Sequence, residues 1–341
     1  MDSSEKKVFK ILSIDGGGIK GLYSAKIIDH LEKQVKGSIG DYFDLIAGTS
    51  TGGLIALGLS IGKSAEELVD FYKEHGPNIF ANSVPLSRNI RFLQQLLFRS
   101  KYSSKNLRNA LIEIFEDKTI SDARNLLCIP SFNLTLGKNR VFKYDHSGIV
   151  GTDNSLKLVD VALATSAAPT YFPVHKIENQ YFADGGVWAN NPSLCALLEA
   201  LKFFVGEPPK PYNAVSILSI SSLNHGGGFH LQRKWYNLNY KRRSFKDWNS
   251  DLFQTTLDGQ SEFADFFLRS LSSNFTFDLK YSRIPSYTID AKNIPCIDLD
   301  KSNKRSIEIL ESYGHRQGLF CRTDKDIIDT FFSTLKTLQF N

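Results

Sequence analysis

The sequence has little of what staples a small or exported fold. Its four cysteines, Cys128, Cys195, Cys296 and Cys321, form no C-x-x-C pair, which argues against a zinc ribbon or a redox motif. Cys195 falls inside the apolar run Leu194 to Phe204 and reads as a small core residue. All four are expected as reduced thiols, and the compartment as the cytoplasm. Met1 to Lys7 is polar and charged, without the basic-then-apolar layout of a signal peptide. There is no internal repeat, low-complexity tract or long linker. Long charge-free runs are scarce as well. Leu45 to Gly62 reaches eighteen residues, but half of them are Gly, Ser or Thr and a turn-like GTSTGG interrupts the run. A buried strand, turn and helix accounts for it better than a membrane span.

What is present suits a globular protein that buries its own core: 341 residues, 42% hydrophobic and 23% charged. The net charge of +5 is unevenly placed. Arg233–Trp248 holds six Lys/Arg and one Asp, and Arg88–Lys105 holds five Lys/Arg and no acid, so each is +5. The remainder has 30 basic against 35 acidic residues, a net of −5. Such concentrated positive charge suits an anionic partner, a lipid surface or a phosphate ligand.

Strand and helix patterns alternate along the first two thirds. Val8–Asp15, Phe43–Gly48 and Val215–Ile220 read as buried strands. Leu126–Thr135 and Arg140–Tyr144 read as strands joined by a turn at Gly137-Lys138-Asn139. Helices are expected from Ile19 to about Lys36, over Thr51–Ile61, Leu107–Phe115 and Asn191–Phe204. Ser64 with Glu67 makes a capping box that opens another helix to His75, stopped by Gly76-Pro77. Beyond about residue 225 the pattern is mostly helical. It gives helices at Asp247–Leu271 and Ser302–Tyr313, one opened by Thr323 and Asp326 to about Leu338, and a strand near Ser286–Ile289. This alternation predicts the α/β class, with a mainly parallel sheet covered on both faces. The chain reads as a single domain over 8–341, with a motif-bearing core at about 8–220 and a helical C-terminal portion at about 225–341.

Three glycine-rich turns carry the chemistry. In Asp15-Gly16-Gly17-Gly18-Ile19-Lys20-Gly21 a strand ends and a helix begins. Glycines there let backbone N–H groups turn inward, and the helix N-terminus adds partial positive charge. That combination receives an anion or a developing oxyanion. Gly48-Thr49-Ser50-Thr51-Gly52 is a G-x-S-x-G between a buried strand and a helix, the context that makes the serine a nucleophile candidate. A serine hydroxyl needs a base. None of the seven histidines sits in a recognisable triad loop. Asp184-Gly185-Gly186, after the apolar Tyr181-Phe182-Ala183 and before Asn190-Asn191-Pro192, offers a carboxylate instead. Partly shielded from water, its pKa would rise and it would accept the Ser50 proton directly.

DGGGIKG, GTSTG and DGG, in that order, together with Ser166-Ala167-Ala168-Pro169-Thr170-Tyr171-Phe172-Pro173, resemble the patatin-like phospholipases over about residues 8 to 220. The resemblance implies a three-layer α/β/α sandwich and hydrolysis of acyl esters of glycerolipids, with no cofactor and no metal. It implies Ser50 as nucleophile, Asp184 as general base, Gly16, Gly17 and Gly18 as the oxyanion hole, and Lys20 at the usual basic position. Asp15, Gly21, Gly48, Gly52, Gly185 and Gly186 support these motifs. More narrowly, the chain is similar to compact bacterial cytoplasmic patatins. Some of these are antiphage effectors that degrade membrane when a cyclic oligonucleotide activates them. A membrane phospholipid substrate, peripheral membrane contact and a cyclic-nucleotide activator follow as expected partners. DNA and RNA do not.

Other readings compete. Gly16-x-Gly18-x-x-Gly21 also matches a dinucleotide fingerprint, with Asp41 or Asp44 at the expected distance, which would make a nucleotide-binding oxidoreductase. An inactive patatin-fold binding module is the other. Asp15 reads as a strand-end carboxylate that holds the glycine loop, rather than as a catalytic group. His225 and His230 flank Gly226-Gly227-Gly228 in what reads as an exposed loop. Arg233–Trp248 mixes cations with Trp235, Tyr236, Tyr240, Phe245 and Trp248, which suits a membrane interface, a stacked base or a partly buried loop. Arg91–Lys101 reads as an amphipathic helix lying on a membrane or against the core.

Overall fold

The computed structural model describes residues 6–81, 100–146, 153–224, 245–272 and 278–338, and of 245–251 only the backbone. Arg91, Arg99, His225, His230 and the basic-aromatic segment up to Ser244 lie outside the described residues. The strands are β1 (Val8–Ile14), β2 (Leu45–Gly48), β3 (Leu126–Asn133), β4 (Lys138–Lys143), β5 (His175–Ile177), β6 (Gln180–Asp184), β7 (Ala214–Ile220) and β8 (Asp278–Ile284). The helices are α1 (Gly21–Glu32), α2 (Thr51–Ser60), α3 (Ala65–Ile79), α4 (Ser104–Phe115), α5 (Leu158–Thr165), α6 (Gly186–Ala189), α7 (Ser193–Phe203), α8 (Phe245–Ser272), α9 (Lys304–Cys321) and α10 (Lys325–Phe331).

Strands β3-β2-β1-β7-β8 run parallel, and β4, β6 and β5 form an antiparallel rim at one side. The parallel strands alternate between two cores, as their period of two requires. Leu12, Ile14, Ile46, Leu127, Ile129, Leu218 and Ile220 face one layer, with α1, α2, α3, α4, α5 and α9. Phe9, Ile11, Leu45, Ala47, Leu126, Cys128, Val215 and Ile217 face the other, with α7. The three-layer α/β/α sandwich is therefore present. α8 belongs to both layers: Leu257 joins the first core and Leu268 the second.

One feature of the pairing sets up everything that follows. Cys128 of β3 pairs with Ala47 of β2 on one edge and Lys143 of β4 on the other. Further along, Ser131, Phe132 and Asn133 pair with β4 and with β6. A strand has only two edges. β2 and β6 thus share one edge of β3, end to end, and their C-terminal residues approach each other.

Several boundaries differ from expectation. α3 continues through Gly76 and Pro77 to Ile79. Gly76 is there because Ile19 packs against its backbone: a Cβ would lie 2.5 Å from Ile19 Cδ1. α1 ends at Glu32, whose carboxylate turns to accept the N–H groups of Ile39 and Ala65 at 2.9 and 2.7 Å. The C-terminal strand is Asp278–Ile284, not Ser286–Ile289, and the ladder with β7 stops before Pro285, which has no N–H to donate. α9 runs on to Cys321. The last helix is capped by Asp324 rather than Thr323 and stops at Phe331. Lys101 is not helical, and its ammonium pairs with Asp300. Leu45 to Gly62 is β2, a turn and α2, buried up to Ile61 apart from the half-buried Ser50. Among the described residues no helix is long and apolar enough to cross a membrane.

The tail after α9 seals the N-terminal edge of the sheet. Phe331 is fully buried and stacks on Phe43, with ring centroids 6.0 Å apart. Lys10 Nζ donates to the Phe331 carbonyl at 3.2 Å. Leu338 N–H and the Tyr212 hydroxyl both reach the buried Asp44, each at 3.2 Å. Phe331→Ala should therefore cost about 3–5 kcal/mol in a single unfolding transition followed by urea melts. A change under 1 kcal/mol, or a separate early transition, would show that the tail is not part of this core.

Candidate active site

Ser50 sits between β2 and α2 with φ 54° and ψ −122°, a backbone that a residue with a side chain rarely adopts. Neighbouring contacts hold it there. A Cβ at Gly48 would lie 2.1 Å from the Gly52 carbonyl oxygen, and one at Gly52 2.3 Å from that of Ile14, so the turn can close this tightly only with glycine at both positions. Ser50 N–H donates to Thr165 Oγ1 at 3.0 Å, and the Thr165 hydroxyl donates to the Pro130 carbonyl at 2.6 Å. Thr49 Oγ1 donates to the Ala189 carbonyl at 2.6 Å. The turn is thereby pinned to β3, to the end of α5 and to the end of α6.

Asp184 ends β6 and is 2% exposed. Its Oδ1 accepts Gly186 N–H at 2.7 Å, and the Ser50 side chain stands beside its carboxylate. Burial raises its pKa to about 7, and these two neighbours offset only part of the rise. No histidine among the described residues lines the cleft around this pair. His30 faces His315, His75 faces Glu113, His146 faces Glu199 and His175 faces Asp160.

The glycine loop approaches from β1. Gly16 N–H is already engaged by the Asn190 carbonyl at 3.0 Å, so it has no proton to offer an oxyanion. Among the described residues the N–H groups of Gly17 and Gly18 have no hydrogen-bond partner, and both glycines line the cleft with Ser50 and Asp184. Of the three glycines expected as donors, two are available. Gly18 has φ +59°, and a Cβ on it would lie 2.2 Å from the Leu299 carbonyl oxygen. Asp15 lies outside the cleft. Arg283 of β8 holds its carboxylate with two hydrogen bonds, 3.1 and 2.7 Å. Burial works against the Arg283 cation, and the attraction of Asp15 outweighs it and raises the pKa. Lys20 is buried, with Nζ 3.4 Å from both Asn224 Oδ1 and Gln254 Oε1. Burial lowers its pKa against the pull of Asp258, Asp298 and Asp15.

The cleft, together with the open solvent at its mouth, spans about 660 Å³. Its walls are apolar, built from Phe71, Phe80, Tyr171, Phe172, Phe253 and Leu257 among others. An acyl chain fits such walls, with an ester carbonyl at the polar floor. Three contributors were not read from the sequence. Thr165 immediately precedes the quoted Ser166-to-Pro173 segment, while Arg283 and Ser261 stand in the C-terminal portion, where no motif marks them.

Residues 12–197 match the family model for patatin-like phospholipase, more than half of the chain. The chain belongs to the patatin-like phospholipase family. It is similar to a cGAMP-activated phospholipase of Pseudomonas aeruginosa (strain BWHPSA011 / Pa011), 33% identical over 300 residues, 86% of this chain and 85% of that one. A cGAMP-activated phospholipase of Vibrio cholerae serotype O1 (strain ATCC 39315 / El Tor Inaba N16961) is 38% identical over 237 residues, 64% of this chain and 65% of that one. Patatin-like protein 2 of Oryza sativa subsp. indica is 32% identical over 318 residues, 83% and 78% of the two chains. Among solved structures, VipD from Legionella pneumophila aligns with a TM-score of 0.43 at 12% identity, covering 96% of this chain and 68% of that one.

As a patatin-like phospholipase the protein is a serine-dependent lipid acyl hydrolase. The dinucleotide reading fails on geometry. The glycine loop follows β1 at the C-terminal end of the sheet, whereas Asp44 precedes the parallel β2 at the opposite end, bound by Lys10 N–H at 2.8 Å. Asp41 caps the turn after α1 through Ser38 N–H at 3.1 Å. Neither reaches a ribose bound at the loop.

The burial of Asp184 has a measurable consequence for this patatin-like phospholipase. A carboxyl whose folded pKa is raised favours the protonated fold. That stability is complete below the unfolded value near 4 and is lost as pH rises through about 7. Asp184→Asn removes the ionisation. Its stability relative to wild type should grow between pH 4 and pH 8, by on the order of 4 kcal/mol. Parallel urea melts across that range check this, and a stability difference between the two proteins that stays constant from pH 4 to pH 8 would contradict it.

Proposed function

We propose that Ser50 and Asp184 form the catalytic dyad of an acyl hydrolase acting on membrane glycerophospholipids. The placement of the Ser50 side chain, in one cleft, beside a buried carboxylate whose pKa lies near neutrality carries this reading. Ionised Asp184 takes the hydroxyl proton as Ser50 Oγ attacks the ester carbonyl. The tetrahedral oxyanion is received by Gly17 and Gly18 N–H, beside the N-terminus of α2. Protonated Asp184 then gives the proton to the departing lysolipid alcohol. Water, activated by the same carboxylate, hydrolyses the acyl-enzyme and frees the fatty acid. No metal or cofactor takes part in these steps.

The enzyme would work from the cytoplasmic side as a peripheral protein, its two clusters of positive charge facing an anionic lipid surface. We further propose a cyclic dinucleotide as its activator. Two of the similar proteins are named as cGAMP-activated phospholipases, and one of them is covered over 85% of its length. An antiviral effector role follows from that reading.

The test uses the full chain on anionic phospholipid vesicles, with and without cGAMP, and a fluorophosphonate probe. Wild type should take the probe and release fatty acid, faster with cGAMP. Ser50→Ala should do neither. Asp184→Asn should lose roughly two to four orders of magnitude in rate. Equal labelling of Ser50→Ala would remove the nucleophile assignment, and a rate indifferent to cGAMP would remove the activator.

A further inference from the structure

One face of α8 lies along the glycine-loop side of the candidate site. Gln254, Leu257, Asp258, Ser261 and Asp265 follow the spacing of a single helical stripe. Gln254 reaches Lys20, and its Nε2 donates to Asp258 at 2.7 Å. Leu257 lines the cleft and fills the space into which a side chain at Gly186 would project. Asp265 accepts two hydrogen bonds from Arg269, 3.0 and 2.9 Å, and stands 3.8 Å from Arg283, the residue that grips Asp15.

Ser261 is the centre of this stripe. It is 2% exposed. Its hydroxyl accepts Asn190 Nδ2–H at 2.9 Å, and it stands beside the Asp15 carboxylate, whose charged form it favours. The two residues it joins bracket the glycine loop. Asp15 begins the loop, and Asn190 holds Gly16 N–H through its carbonyl. The direction of the next two N–H groups depends on that bracket.

We propose that Ser261 is a positioning residue for the oxyanion hole, and that through it α8 sets the aim of Gly17 and Gly18 N–H. The proposal rests on the dyad reading above and adds to it a control point in the C-terminal portion. Donors in such a hole are worth roughly 10²–10³ in rate, and displacements of about 1 Å are enough to lose much of that.

The experiment compares wild type, Ser261→Ala, Ser261→Cys and the exposed neighbour Glu262→Gln on a soluble p-nitrophenyl ester. It adds two inhibitors: a trifluoromethyl ketone, which places an oxyanion in the hole, and an ether analogue of the substrate, which does not. Ser261→Ala should lower kcat about 10- to 100-fold with KM within threefold. The ketone should weaken by a similar factor while the ether binds as before. Ser261→Cys keeps the volume with weaker hydrogen bonds and should fall between, and Glu262→Gln should match wild type. Wild-type kcat in both Ser261 variants overturns the proposal. So does equal weakening of ketone and ether, which would mark a general collapse of the cleft. Wild-type activity that survives Ser50→Ala would fail the dyad reading instead.

Discussion

A carboxylate stripped of water is the constraint around which this protein is arranged. Asp184 keeps Gly186 N–H as its hydrogen-bond donor and has the Ser50 side chain beside it. Burial disfavours its charge, so it holds a proton far more readily than a carboxylate in water. That same basicity is what the proposed dyad uses to dispense with a histidine. The arrangement is costly above neutral pH, and the two apolar cores on either side of the sheet offset the cost.

The topology supplies the meeting. β2 and β6 lie end to end on one edge of β3, so a parallel strand delivers Ser50 and an antiparallel strand delivers Asp184 to the same place. Thr165 then ties Ser50 N–H to the Pro130 carbonyl of β3, and Gly185 N–H bonds the Thr165 carbonyl at 3.3 Å. Ser50 and Asp184, the proposed nucleophile and base, are braced by one residue at the end of α5. The third component, the glycine loop, is braced from the opposite direction by β8 and α8. The C-terminal portion is thus built into the site through Arg283, Asp265 and Ser261 rather than appended to it.

The parts of this site that sequence patterns reveal are the local ones. Buried strands ending in glycine turns mark the Ser50, Asp184 and Gly16-to-Gly18 loops, because tight turns and close backbone approach restrict the residue type. Long-range contacts leave no such mark. Nothing near Gly16 tells that its N–H is taken by Asn190, and nothing near Ser261 or Arg283 tells that they end at Asp15. β8 is hard to read because its alternation of Leu279 and Tyr281 with Asp278, Lys280 and Ser282 breaks at Arg283, where a third apolar residue would stand. Gly76 and Gly314 look like helix stops. Both instead lie where another element presses on the helix, Ile19 on the first and the backbone of Tyr23 on the second.

The central claim is that Asp184 itself, with its proton held near neutrality, is the base. The pH dependence of kcat/KM for a soluble ester tests it most directly, since lipid surface charge does not enter. The base must be ionised, so kcat/KM should be level above about pH 8 and fall tenfold per pH unit below an inflection near 7. A profile that stays level down to pH 5, as a carboxylate near its ordinary value would give, contradicts the account.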